Sequence, residues 1–201
     1  MGRASMNSSL KTLPAAFQPQ VQLWSLRILL NLGAHRELIS DRGFRDDQLP
    51  GELGLRLIKG HGGGAFDRSE TMQRLRERLE HLEGRDRLPE NGLIVSNVRA
   101  LSGILGLNPY EERILLFLVL WKQSMVLSSV IDAVGTTTLT AFQVFFAEVL
   151  EIPFKEVQKL IGPEGRLVRS GVVRFDLSCR WGIQNRMEFF PGLADRMLAR
   201  L

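Results

Sequence analysis

The chain predicts a mainly α-helical protein, with a helical N-terminal half followed by a winged-helix-like domain that carries a small two-stranded β-ribbon. Three observations support this. Apolar residues recur at helical spacing in one segment after another, most cleanly at Phe142, Phe145, Phe146, Val149 and Leu150. Helix-start and helix-stop residues frame those segments, Gly106 and Asn108-Pro109 being the clearest pair. The C-terminal order of helices followed by RLVRSGVVRF matches a helix-turn-helix with a hairpin wing.

The N-terminus, MGRASMNSSLKTLPAAFQPQ, has no continuous apolar core and is not a secretory signal; residues 1–20 read as a loose, disordered polar arm. Asn7-Ser8-Ser9 fits the glycosylation triplet by chance. Val21 to Leu32 is the first helix. Leu23, Leu26 and Leu30 alternate with Trp24 and Ile28, so most of its circumference is buried, and Gly33 ends it. Asp41 to Leu57 has room for one short helix. KGHGGGAFD, Lys59 to Asp67, is a glycine-rich loop and the best internal boundary.

Ser69 to Glu83 follows as a charged amphipathic helix with a stripe of Met72, Leu75, Leu79 and Leu82, closed by Gly84. That stripe has two expected destinations, the C-terminal half of the chain or a second copy as a short coiled coil. Gly84 to Gly92 is a second linker, so the chain divides into the arm, a helical segment over 21–90 and a winged-helix-like domain over 91–201. Ser96 is placed to cap a helix running to Leu105. Asn108-Pro109-Tyr110-Glu111 then starts a helix through ILLFLVLW toward Ala133, the most buried of the set.

Gly135 and Thr136 to Thr138 interrupt before the Phe142 helix. Glu151-Ile152-Pro153 turns the chain into a short helix to Ile161, with Phe154, Val157, Leu160 and Ile161 inward. Gly162-Pro163 stops it. Arg166 to Asp176 reads as the ribbon, turning at Ser170-Gly171.

Composition restricts function more than it assigns it. With 201 residues, 44% apolar and 24% charged, the chain can bury a core in one large or two small domains. Lys+Arg of 26 against Asp+Glu of 22 gives a net charge of +4, compatible with nucleic acid or an acidic partner without requiring either. The single Cys179 excludes an internal disulfide. With His35, His61 and His81 scattered, a dedicated zinc site is not expected, and a reducing, cytoplasmic setting fits. The most apolar run, Ile114 to Trp121, is far short of the ~20 residues a membrane span needs.

No catalytic set emerges. HGGGAF, His61 to Phe66, matches the oxyanion-hole string of esterases, but no serine sits in the G-x-S-x-G elbow which that chemistry requires. A P-loop needs a lysine after glycine; Lys11, Lys59, Lys122, Lys155 and Lys159 all follow other residues. Asp46-Asp47 and Glu111-Glu112 are adjacent pairs, which point apart on a helix and suit helix starts better than acid–base work. No cofactor is expected.

The remaining candidates are polar groups on the winged-helix segment. Lys155, Gln158 and Lys159 line the outer side of the short helix, with Glu156 opposing them. In the expected hairpin, Arg169 pairs with Val172 and shares a face with Arg174, while Arg166 lies on the other. These six residues are the expected contact for nucleic acid or a protein partner. One short helix with three polar contacts is thin for reading bases, so a winged helix packed against protein is favoured over a DNA-binding regulator.

The ordered phrases LSGILGLNPYEERILLFLVL, FAEVLEIPFKEVQKLI, GRLVRSGVVRF and LADRMLARL resemble the region that precedes the ATPase module in a group of bacterial AAA-type ATPases. The resemblance covers roughly 91–201, with Val21 to Leu57 weakly similar to the segment before it. It implies an accessory, non-enzymatic region that recognises a protein client or partner while a separate module supplies force. None of the ATP-binding residues of that family has a counterpart here. Such regions lie beside one another in a ring, so self-association is also an expectation.

Overall fold

The most apolar stretch of the sequence becomes the central helix. In the computed structural model, which describes residues 13–55, 66–84, 88–89, 91–135, 138–179 and 182–198, every residue from Ile114 to Trp121 is buried. The chain runs through α1 (Gln18–Asn31), α2 (His35–Leu38), β1 (Ile39–Ser40), β2 (Gly43–Phe44), α3 (Leu49–Glu52) and α4 (Arg68–Glu83). It continues with α5 (Leu93–Leu105), α6 (Pro109–Gln123), α7 (Met125–Asp132), α8 (Leu139–Leu150), α9 (Phe154–Leu160) and α10 (Arg166–Arg169). It ends with β3 (Val173–Phe175), β4 (Met187–Phe189) and α11 (Leu193–Met197). The protein is mainly helical, and the described strands form two separate antiparallel pairs, β1–β2 and β3–β4.

A chain of aromatic contacts crosses the core. Phe117 of α6 meets Trp24 of α1 edge to face, with ring centroids 5.2 Å apart, and meets Phe145 and Phe146 of α8 at 5.9 and 6.1 Å. Phe142 and Phe146 in turn touch Phe175 of β3 at 5.9 and 5.8 Å. Each such ring removes its whole surface from water, worth about 1.5–3 kcal/mol before packing terms. α1 packs on α4, α7 and α8, so apolar residues from both halves of the chain belong to one core cluster.

Residues 20–29 of α1 are all buried, as the mixed spacing of its leucines, Trp24 and Ile28 predicts. The helix starts earlier than expected: Gln18 is already helical and Phe17, assigned to the loose arm, is buried. The short helix expected within Asp41 to Leu57 is α3. On α4, Met72, Leu75, Leu79 and Leu82 are buried, and the helix rests on α1. Arg78 Nη2 donates to Gln22 Oε1 at 2.6 Å, and Arg27 pairs with Glu83 at 3.4 Å, fixing the register of the two helices. Lys59 to Ala65 of the glycine loop, residues 1–12 of the arm, 85–87 and 90 of the second linker, and Thr136 and Thr137 lie outside the described residues.

Three expectations need correction here. α5 begins at Leu93, not after Ser96; Gly92, at φ 132°, is its N-cap and accepts the Ser96 N–H through its carbonyl at 2.9 Å. Glycine alone tolerates that backbone angle, and the apolar run then enters the core directly. α6 does not continue to Ala133. Ser124 takes an extended conformation and its Oγ accepts the Leu127 N–H at 3.2 Å, starting α7 after a bend of 100°. The bend turns Val126, Leu127, Val130 and Ile131 inward, with α7 packing on α1. Phe154, expected inside, is 37% exposed, while Val157, Leu160 and Ile161 are buried.

The largest correction concerns the ribbon. Arg166–Arg169 is helical, Ser170 and Gly171 end that helix, and the expected hairpin over Arg166 to Asp176 does not form. Val173–Phe175 pairs instead with Met187–Phe189, in the register Val173↔Phe189, Arg174↔Glu188 and Phe175↔Met187. Val173, Phe175 and Met187 point into the core, which fixes the register by burial. Among the described residues no single helix is long and apolar enough to cross a membrane; α6 and α7 reach the length only as a bent pair, and both are largely buried.

Candidate interaction surface

The segment from α8 to β4 presents the candidate residues, and each of its turns is fixed by a specific contact. Thr138 caps α8 by accepting the Ala141 N–H at 3.1 Å. At the other end Glu151 adopts φ 51°, the left-handed conformation that closes a helix, and reverses the chain toward α9. Two arginines from elsewhere finish the carbonyl end of α8: Arg27 Nη1 donates to Val149 O at 3.1 Å and Arg113 Nη1 to Leu150 O at 2.8 Å. Arg27 is 2% exposed and also pairs with Glu151 at 2.8 Å. Cations at this end satisfy orphan carbonyls and match the negative pole of the helix.

The start of α10 is held by Glu111. Its Oε2 accepts the Asn108 N–H at 3.0 Å, and Asn108 Oδ1 accepts the N–H groups of Tyr110 and Glu111, both at 2.9 Å, forming a capping box. Its Oε1 accepts the Arg166 N–H at 2.6 Å. One buried carboxylate therefore joins the first turns of α6 and α10, the helix-start role its position predicts. Gly165 sits so close to the end of α9 that a Cβ there would lie 1.9 Å from Leu160 O.

Lys155, Gln158 and Lys159 are exposed on α9, at the i, i+3 and i+4 spacing that shares one side of a helix. Lys159 Nζ pairs with Glu156 at 2.7 Å. Arg166 and Arg169 are exposed on α10 and Arg174 on β3. Arg169 has no cross-strand partner, so the expected diagonal pair with Arg174 on a hairpin is replaced by residues on two successive elements. Arg174 instead faces its cross-strand neighbour Glu188, with N···O 3.8 Å and side chains 83% and 77% exposed. α10 packs on both α9 and β3, so the three elements that carry the six candidates are neighbours in the fold.

An apolar groove of about 400 Å³ lies beside the ribbon, lined by Val168, Val173, Phe189, Phe190 and Pro191, with Arg174 and Glu188 at its side. Phe190 is 53% exposed. A second, polar hollow of about 610 Å³ lies across the ribbon and shares Arg174 and Glu188. The sequence reading did not single out this groove; the doublet Phe189-Phe190 before Pro191-Gly192 was the available signal. The carboxylate of Asp176, on the rim of the polar hollow, is held below the usual carboxylate range by hydrogen bonds from the Ser178 hydroxyl and backbone and from the Cys179 N–H. Among the described residues no group of His, Cys, Asp and Glu could hold a metal ion.

No family model, curated protein or solved structure matches the chain.

Proposed function

We propose that the chain is a non-catalytic interaction region that binds a protein client or partner, of the kind found ahead of the motor module of an AAA-type ATPase. The observation that carries the protein-binding reading is the pairing of outward charges on the candidate surface: Lys159 with Glu156 and Arg174 with Glu188. A surface that grips a phosphate backbone gains its affinity by replacing counterions with unneutralised cations. Here acidic neighbours already answer two of them. α9, the helix that would enter a major groove, has seven residues and shows Phe154 beside Lys155 and Gln158, a mixture suited to protein. The order α6, α8, α9 and the β3–β4 ribbon supports a winged-helix description, with α7 and α10 as additions. The AAA assignment is supported by the ordered phrases from Leu101 to Leu201.

The second reading is a winged-helix DNA-binding regulator, favoured by Lys155, Arg166 and Arg169, whose side chains enter no ion pair among the described residues. Fluorescence anisotropy separates the two. The purified chain is expected to leave a labelled duplex of about 20 base pairs unbound at ~50 mM salt. Binding that falls steeply with salt and is lost on replacing Lys155, Arg169 and Arg174 with alanine overturns the protein-binding reading. For the AAA assignment, the coding sequence that accompanies this chain is expected to encode a P-loop module that binds it; a module that does not associate with it refutes the assignment.

A further inference from the structure

We propose that the face of α1 beneath α4 is a helix-binding groove, occupied by α4 as a resident ligand and opened to an amphipathic helix of a partner protein; the inference rests on the reading of the chain as a protein-interaction region. What covers the groove shows what fits it. α4 lays Met72, Leu75, Leu79 and Leu82 into the core cluster, each no more than 9% exposed. Two polar contacts set its register, Arg78 Nη2 to Gln22 Oε1 and Arg27 Nε to Glu83 Oε1. Both join residues 56 positions apart, so α4 lies parallel to α1. The groove therefore selects apolar side chains at i, i+3, i+7 and i+10, a cation at i+6 and a carboxylate at i+11, the pattern of Met72 to Glu83.

Both polar markers of the groove are held by groups other than α4. Gln22 is 7% exposed and its Nε2 donates to Glu52 O at 2.9 Å, which leaves Oε1 as the acceptor for a guanidinium. Gly54, at φ 79°, makes room for that group: a Cβ there would lie 3.0 Å from Arg78 Nε. Arg27, 2% exposed, keeps Val149 O at 3.1 Å and Glu151 at 2.8 Å when Glu83 leaves, so its charge is not stranded. The occupant is held less fully than the site. α4 makes extensive contact only with α1, whereas α6 and α8 each pack on several helices. Its bond to Arg27 spans 3.4 Å to a carboxylate 42% exposed, and Arg78 Nε is buried without a hydrogen-bond partner among the described residues. A partner helix that repeats the stripe and completes these polar contacts outcompetes α4.

The test uses the full chain and a fluorescein-labelled peptide of residues 66–84. In the native chain α4 competes from within at an effective concentration of ~1 mM, so a chain carrying Leu75→Ala with Leu79→Ala is compared with it. That variant is expected to bind the peptide at least ~tenfold more tightly than the native chain does. A peptide with Leu75→Asp and Leu79→Asp is expected to lose about tenfold or more, and one with Glu83→Lys about threefold. Native-state amide exchange reads the release directly: α4 is expected to exchange at least ~hundredfold faster than α1 and α6. Equal protection of α4 and α6, a variant that unfolds as a whole, or peptide binding no tighter in the variant than in the native chain overturns the proposal. So does a native dimer in sedimentation that the peptide dissociates, which makes a second copy the occupant. The protein-interaction reading is judged apart from these outcomes, by the duplex DNA measurement.

Discussion

Replacing Glu111 by alanine tests whether one carboxylate ties the first turns of α6 and α10 together. The substitution strands the N–H groups of Asn108 and Arg166, which donate to the two carboxylate oxygens at 3.0 and 2.6 Å. An unsatisfied buried donor costs about 1–3 kcal/mol, and the partial exposure of both sites places each near ~1 kcal/mol. Losing a carboxylate from the first turn of α6 adds ~0.3–1 kcal/mol through the helix dipole. The sum is ~3 kcal/mol, which at a urea slope of ~2 kcal/mol per molar lowers the unfolding midpoint by ~1.5 M. Glu111→Gln retains one acceptor oxygen and is expected to lose about half as much. Urea titration followed by helical circular dichroism gives both midpoints, and amide exchange at Arg166 reports the second bond directly. A shift below ~0.3 M for the alanine variant, or identical losses in the two variants, refutes the bridging role.

Gly165→Ala is expected to destabilise by ~3 kcal/mol or more, because its Cβ would sit 1.9 Å from the Leu160 carbonyl, whereas Gly51→Ala, with nothing within 4 Å, should stay close to neutral; paired thermal melts check the contrast. Phe117→Ala removes a fully buried ring at the meeting of α1, α6 and α8 and is expected to cost ~3–5 kcal/mol by denaturant titration. Asp176, with its folded pKa below the unfolded value near 3.8, stabilises the fold above that value. The unfolded state binds more protons in the window beneath it, so the contribution is lost as pH falls through the folded pKa. Carboxylate NMR should place the Asp176 midpoint below 3.8, and Ser178→Ala, which removes the largest cause, should raise it.

Helix existence was largely legible because local chemistry and burial agreed. The Asn108-Pro109 start, the αL stop at Gly106 and the five-residue apolar face of α8 each rest on residues adjacent in sequence or one turn apart. The misread positions carry signals with two valid outcomes. Ser-Gly with apolar flanks turns a hairpin, but it ends a helix equally well: Gly171 at φ 72° does the latter after Arg169. What decides is the partner of Val173–Phe175, which lies beyond a connection that no turn rule reaches. Ser124 was hidden differently, since no glycine or proline marks the bend and its capping bond is visible only once α7 turns toward α1. Lys155, Gln158, Lys159, Arg169 and Arg174 are exposed as expected, and so is Arg166, which the expected hairpin puts on the opposite face; Glu156 was visible as an opposing charge one turn from Lys159, whereas Glu188 as the partner of Arg174 and the groove beside Phe190 were not, because both depend on the β3–β4 pairing.

The carbonyl end of α8 is completed by Arg27, 122 positions earlier in the chain. The turn into α9 therefore depends on the first helix as much as on its own residues. A chimera that grafts 91–201 onto another protein would keep the Arg113 bond to Leu150 O but leave the Val149 carbonyl without Arg27, and would open the ring of Phe117 where Trp24 now lies. Any transplant of the α9 surface has to carry α1 with it, and variation at Arg27 is coupled to variation at Glu83 and Glu151, the two carboxylates that share its buried guanidinium.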